Sequence, residues 1–308
     1  MKKLIISLVF GLLILQFSIM DVFAQSLLFG TTTSGQNNPS NFYQIDPATG
    51  NAVLIGPTGF NRCSAIDFHP ITNVLYGTCT DNLDQGEALV TINVNTGIGT
   101  RVGNTGITDI TDMSFSNDGT TLFAHSFELL KIDIITGIAT IVGGSGGIGS
   151  AGNGLAMSQS NQLFHSDEKE LSILDQDTGL QITSVLHGYP LVPDDLPRNN
   201  GMDFEPNSEL LFASLKIGGE VSSSGISPQS FLVTVDTTTG TVTIVGQTVN
   251  GLDAIAFFDD QKVGGKLLPI ETTSLLVSSA QSFSWMIPVA LSAIGIGLFV
   301  VSRKFENS

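Results

Sequence analysis

The chain has 308 residues, with 28 Asp and Glu against 12 Lys and Arg, for a formal net charge of −16. Its 42% hydrophobic content is enough for a core, and only 13% of residues are charged, which excludes a disordered acidic tail. Nucleic acid is excluded as a partner too, because phosphate neutralisation needs clustered Lys and Arg and the sequence has no such cluster.

The N-terminus reads as a secretory signal over residues 1–24. Lys2 and Lys3 open it, an apolar run extends from Leu4 to Met20, and Val22-Phe23-Ala24 supplies a small-residue cleavage pattern before Gln25. The alternative is an uncut N-terminal anchor.

From there the chain repeats itself. The motif Asp/Asn-x-x-Thr-Gly occurs at Asp46–Gly50, Asn93–Gly97, Asp133–Gly137, Asp175–Gly179 and Asp236–Gly240, with glycine spacings of 47, 40, 42 and 61 residues. In each copy the Asp or Asn caps a turn and the Gly supplies positive φ between two β-rich runs. A second element interleaves with it: a hydrophobic strand, a polar turn, then Leu-aromatic and a small residue. Its copies begin at Ala65, Asp112, Gly154 and Gly201, and a fifth is split between "AIAFF" from Ala254 and "SLLFG" from Ser26. Splitting one unit between the termini closes a ring and removes the open inner edge. The predicted fold is therefore all-β: a five-bladed β-propeller of four-stranded antiparallel blades over residues 25–260, its first blade closed by the C-terminal strand.

Within one blade the strands run A ("AIDF"), B ("VLYG"), C ("LVTIN") and D ("GTRVG"). Pivoting its A–B hairpin at Ile71 sets Phe68 opposite Val74 and Cys63 opposite Cys79. Directly opposed residues approach closely enough for a disulfide, which an extracellular setting favours. Two free thiols are the alternative.

Propeller geometry places the A–B and C–D turns at one end and the B–C and D–A connections at the other. The second end receives every long connection, so it is the predicted binding end. The segment Leu186–Asn200 puts Tyr189, Asp194, Asp195 and Arg198 among three prolines; it suits recognition or a structural cover. The inner strands offer another candidate. Asp67, Asp112 and Asp203 are expected to face the central channel, where they either hold Ca²⁺ through oxygen ligands or stand solvated. His69, His125, His165 and His187 form no metal-ligand spacing. The glycine run Val142–Gly154 has no βαβ context, and the adjacent carboxylate pairs Asp194-Asp195 and Asp259-Asp260 have no fixed hydrolase separation.

After a linker (261–283), residues 284–302 are predicted to form a transmembrane helix. No charged residue occurs from Thr272 to Ser302, and the stretch from Trp285 to Val301 is almost wholly apolar and long enough to span a bilayer. Trp285 suits one interface, and Arg303-Lys304 open a cytoplasmic tail (303–308). A buried core helix is the alternative.

The stretch from Leu267 to Lys304 resembles the anchor tails of surface proteins from marine ammonia-oxidising archaea, which implies display on the cell envelope. Whether the tail is retained or cut as a sorting signal stays open. From Ser26 to Asp260 the chain resembles uncharacterised secreted bacterial and archaeal surface propellers with D-x-x-T-G turns.

The leading expectation is a single-pass cell-membrane protein whose extracellular propeller is a non-catalytic binding or adhesion module for a protein or glycan. One alternative is an extracellular hydrolase or lyase with a metal in the axial channel. Another is a structural envelope component.

Overall fold

The computed structural model describes residues 26–33, 39–80, 86–143, 154–190, 197–217 and 229–259. The predicted signal, linker, membrane helix and tail lie outside the described residues, as do Asp194 and Asp195. The described residues form 19 β-strands and no helix.

One seven-stranded antiparallel sheet has the order β19-β1-β2-β3-β4-β5-β6. It comprises β1 (Leu27–Thr32), β2 (Pro39–Ile45), β3 (Ala52–Phe68), β4 (Leu75–Thr80), β5 (Glu87–Ile92), β6 (Gly99–Asn104) and β19 (Leu252–Phe258). Three four-stranded antiparallel sheets follow. The first is β7 (Asp112–Phe115), β8 (Leu122–His125), β9 (Leu129–Ile132) and β10 (Ala139–Ile141). The second is β11 (Gly154–Met157), β12 (Leu163–Ser166), β13 (Glu170–Leu174) and β14 (Gln181–Leu186). The third is β15 (Arg198–Phe204), β16 (Leu211–Ile217), β17 (Gln229–Val235) and β18 (Val242–Gln247).

Burial grades across each sheet. The strands β7 and β11 are buried at every residue, whereas β10 and β14 are mostly exposed or half-buried. A strand covered on both faces reads as a continuous small or apolar run, as "GLAM" does at β11. The covered strands also contact one another in a circuit: β3 with β7, β7 with β11, β11 with β15, β15 with β19, and β19 with β3. Antiparallel sheets packed face to face round a closed circuit are the arrangement of a β-propeller.

The first and last strands join as expected. β1 and β19 pair antiparallel, from Leu27 opposite Phe258 to Thr31 opposite Ala254. The seven-stranded sheet arises because β3 is 17 residues long and serves two neighbours. Its first part pairs with β2 and its last part with β4, handing over at Asn61. Arg62 marks the corner with φ of +43°.

The D-x-x-T-G motifs form the turns read from sequence. In Asp133–Gly137, Asp133 Oδ1 accepts the Ile135 and Thr136 amides at 2.8 and 3.0 Å, and Gly137 N–H donates to the Asp133 carbonyl. All five turn glycines have φ between +70° and +80°. They serve a second purpose that local sequence does not reveal. A Cβ on Gly97 would lie 2.8 Å from the Gly56 carbonyl of β3, and one on Gly137 would lie 2.8 Å from Gly103 of β6. Gly179 faces Val142, Gly240 faces Leu186, and Gly50 faces Gly246 in the same way. Each turn is thus pressed against the outer strand of the preceding unit, and this set of contacts also returns to its start.

Cys63 and Cys79 are joined by a disulfide with Cα atoms 4.0 Å apart. The register around it differs from the expected one. Phe68 pairs with Leu75 rather than Val74, and Ala65 with Thr78; the offset changes by one residue between Cys63 and Ala65. The reason is the turn, where His69 N–H bonds the Val74 carbonyl and Asn73 adopts φ of +57°. An irregularity at Ser64 then restores the Cys63–Cys79 pairing, its hydroxyl donating to the Ile110 carbonyl at 2.6 Å.

Candidate functional site

Asp67 and Asp203 lie on the covered strands as expected, but their oxygens are bonded to backbone. Asp67 Oδ2 accepts the Phe115 amide of β7 at 2.6 Å, and Oδ1 accepts the Phe68 amide at 2.7 Å. Asp203 repeats the device, with Oδ2 on the Phe257 amide of β19 and Oδ1 on the Phe204 amide. At the corresponding place Ser114 Oγ accepts the Met157 amide at 3.0 Å. Three side chains therefore satisfy one amide from each of the five covered strands. Where the preceding strand offers Ala156 or Ala256, the aspartate on the next strand bonds its own neighbour's amide instead.

Asp112 stands at a different level. It is fully buried, and its Oδ2 accepts amides from two other strands, Leu155 of β11 at 2.8 Å and Met202 of β15 at 2.9 Å. The corresponding residues are Ala65, Gly154, Gly201 and Ala254. A Cβ on Gly154 or Gly201 would lie 2.5 Å from a neighbouring strand or side chain. The axis is therefore closed at this level by backbone contact and one carboxyl group. Burial pushes the Asp112 pKa well above the usual carboxylate range, against the pull of its amide donors. Oδ1 has no partner among the described residues.

This corrects the expectation that three carboxylates line one pore. Asp67 and Asp203 border a shallow cavity of about 80 Å³ at the A–B turn end, together with Ser114, Phe68, Phe115 and Phe257. Asp112 plugs the axis instead. Among the described residues, no three His, Cys, Asp or Glu side chains stand close enough to hold a metal ion together.

The histidines are packed into the scaffold. His69 accepts the Ile71 amide at 3.1 Å and lies 4.9 Å from the Phe115 ring. His125 and His165 are buried with ring centroids 4.1 Å apart, where β8 meets β12. His125 occupies the place that Thr31 and Ser214 fill elsewhere, whose hydroxyls bond carbonyls of the next unit, Cys63 and Asp253. Among the described residues, neither nitrogen of His125 nor Nε2 of His165 has a hydrogen-bond partner. Burial lowers both pKa values, that of His165 to about 4. His187 is half-buried, with Nε2 2.8 Å from Ser166 Oγ.

Of the predicted loop residues, Tyr189 packs beside His187 at 5.0 Å and against the core of β11–β18. Its burial pushes the phenol pKa up. Arg198 is 39% exposed and faces Glu168 at 3.8 Å. Around Arg198 the structure gathers charges that sequence reasoning missed. Lys216 is its direct cross-strand partner, and Asp253 at the start of β19 lies within electrostatic reach of Lys216, Arg62 and Arg198. Asp253 Oδ1 accepts from Asn200 Nδ2 at 2.6 Å. Burial pushes its pKa to about 6 although all three cations oppose this. Arg62 is paired with Asp109 at 2.8 Å. Beside them Glu87 is 2% exposed, and neither oxygen is hydrogen-bonded among the described residues. Burial pushes its pKa to about 8, with Arg62 the main opposing influence.

No protein-family model matches the sequence, and no curated relative does either. Several solved structures are distantly similar to the chain. A chain of a nidogen–laminin complex is 11% identical, with TM-score 0.49 over 75% of this chain and 97% of that one. A Bacteroides caccae protein of unknown function is 12% identical, with TM-score 0.48 over 77% and 100%. A Lactobacillus plantarum protein is 11% identical, with TM-score 0.44 over 76% and 100%.

Proposed function

We propose that the chain is a five-bladed β-propeller displayed outside a cell membrane by a helix at 284–302, and that it acts as a non-catalytic binding module. The five-blade reading divides β3 at Asn61, its first part completing the blade of β19, β1 and β2. Both circuits of contacts, between covered strands and between turn glycines and outer strands, support that division. The predicted signal and the charge-free C-terminal stretch support the membrane-anchored topology.

The observation that carries the binding reading is the asymmetry of the two ends. At one end the repeated turns are short, and their glycines are pressed against the adjacent unit. Among the described residues the axis is narrowed at Asp112, whose carboxylate bonds amides of two covered strands. The other end holds the D–A and B–C connections, and with them Arg62, Asp109, Arg198 and Lys216. A rigid scaffold with its connections at one end is suited to presenting a recognition surface.

The test is selective blocking. A cysteine introduced at exposed Thr108, in the β6–β7 connection, is coupled to a polyethylene glycol chain; a second variant carries it at Thr238, in a D-x-x-T-G turn. Saturable binding of full-length protein to its own cell-surface polysaccharide or protein fractions should be lost in the first variant and kept in the second. Loss only at Thr238, or turnover of those fractions without binding, would contradict the reading.

A further inference from the structure

The chain has 12 Lys and Arg, of which six fall in the described residues: Arg62, Arg101, Lys131, Lys169, Arg198 and Lys216. Three of those six act on the single carboxylate Asp253. Two of them, Arg198 and Lys216, are directly opposed in the β15–β16 ladder, so their side chains leave the same face of the sheet. Like charges in directly opposed positions are destabilising. Local acids offset only part of this conflict: Asp253 acts on all three cations, and Asp109 holds Arg62 at 2.8 Å. Glu168 stands 3.8 Å from Arg198, and Lys216 has no ion pair among the described residues. Asp253 already accepts from Asn200 and Thr33.

The third cation is held at a backbone cost. Arg62 takes φ of +43° at the corner where β3 changes partner. The corresponding corner before β19 carries Gly251 at φ of +78°, the residue such backbone favours. A buried polar side chain beside the cluster also lacks a partner: neither oxygen of Glu87, near Arg62, is hydrogen-bonded to a side chain or backbone group among the described residues. A proton on Glu87 at neutral pH removes one negative charge that would otherwise neutralise the cluster.

We propose that Arg62, Arg198 and Lys216 form an anion-binding site at the connection end, taking a carboxylate group of an extracellular ligand. Arg198 offers a planar fork that matches a carboxylate, and Lys216 adds a point charge beside it. A bound carboxylate relieves the repulsion between them. The site rests on the binding reading above and assigns its ligand class.

The experiment titrates full-length protein in detergent micelles with acetate, glucuronate and glucose at constant ionic strength, read by calorimetry. Acetate and glucuronate should bind saturably, and glucose should not. Equal affinity for the two acids identifies a free carboxylate as sufficient; tighter glucuronate binding adds the sugar to the site. Arg198→Gln and Lys216→Gln should each weaken binding about tenfold, the loss of one charge-assisted hydrogen bond. Lys216→Arg should retain it, and so should Lys131→Gln, which removes a cation on β9 that faces Asp177. Unchanged affinity in both Gln variants, or no acid binding at all, overturns the proposal. If acids fail while coupling at Thr108 still blocks surface binding, the anion site falls and the binding reading stands. If both fail, both fall.

Discussion

At the scale of single residues the molecule keeps several ionisable groups away from water, and this sets its pH response. Glu87 binds a proton more tightly folded than unfolded, because burial outweighs Arg62, with Asp109 and Asp253 adding to the rise. Its contribution to stability is therefore complete below the ordinary glutamate pKa and is lost as pH rises through about 8. Glu87→Gln should remove that loss. Thermal melting at pH 5 and pH 8.5 should show wild type losing up to about 4 kcal/mol relative to the variant across the interval. Parallel melting curves would contradict the assignment. His165 acts in the opposite direction: its folded pKa is lowered to about 4, so stability falls as pH drops from the ordinary histidine range toward that value.

Asp203 tests the backbone-bonded carboxylates. Asp203→Ala leaves the Phe204 and Phe257 amides without their side-chain acceptor and should cost about 2–4 kcal/mol. Asp203→Asn keeps one carbonyl oxygen and should cost about half as much. Equal, negligible effects in urea denaturation would show the carboxylate to be merely solvated. This role was only half legible. Strand alternation points residues 67, 112 and 203 inward, yet it does not reveal that an amide of the next unit waits there. The repeat alignment does set residue 112 against Ala65, Gly154, Gly201 and Ala254, but not the two strand amides that its carboxylate meets there.

At the scale of elements, the D-x-x-T-G turns were legible because their chemistry is local: side-chain caps and positive φ within five residues. Their contact with the preceding outer strand was not, because it joins residues far apart in sequence. Alanine substitution separates the two demands. Gly59 also has positive φ, at +80°, but nothing surrounds its missing Cβ, while Gly97 has φ of +79° and the Gly56 carbonyl in the way. Gly59→Ala should cost about 1 kcal/mol for backbone strain, and Gly97→Ala about 1–3 kcal/mol more for the clash. Equal costs would mean that the turn does not seal the unit boundary. The disulfide was legible for a similar reason, since two cysteines flanked one hairpin. The shifted register was not, because the His69–Val74 turn and the irregularity at Ser64 offset each other and leave the Cys63–Cys79 pairing unchanged.

At the scale of the whole molecule, the repeat foretold that its first and last strands would join, and β1 and β19 do pair. The charge cluster at the connection end escaped sequence reading because Arg62, Arg198, Lys216 and Asp253 come from three separate stretches of chain. Only the closed ring brings them together, so both the binding reading and the anion site depend on closure. The most direct test of closure is a cross-link between the ends. Leu27 and Phe258 are register partners on β1 and β19, and Leu27 is 40% exposed. A Leu27→Cys, Phe258→Cys variant, oxidised and mapped by mass spectrometry, should yield a linked 27–258 peptide pair beside the native 63–79 pair, with cooperative melting preserved. Recovery of free thiols at 27 and 258 in a protein that still melts cooperatively would contradict the closed ring.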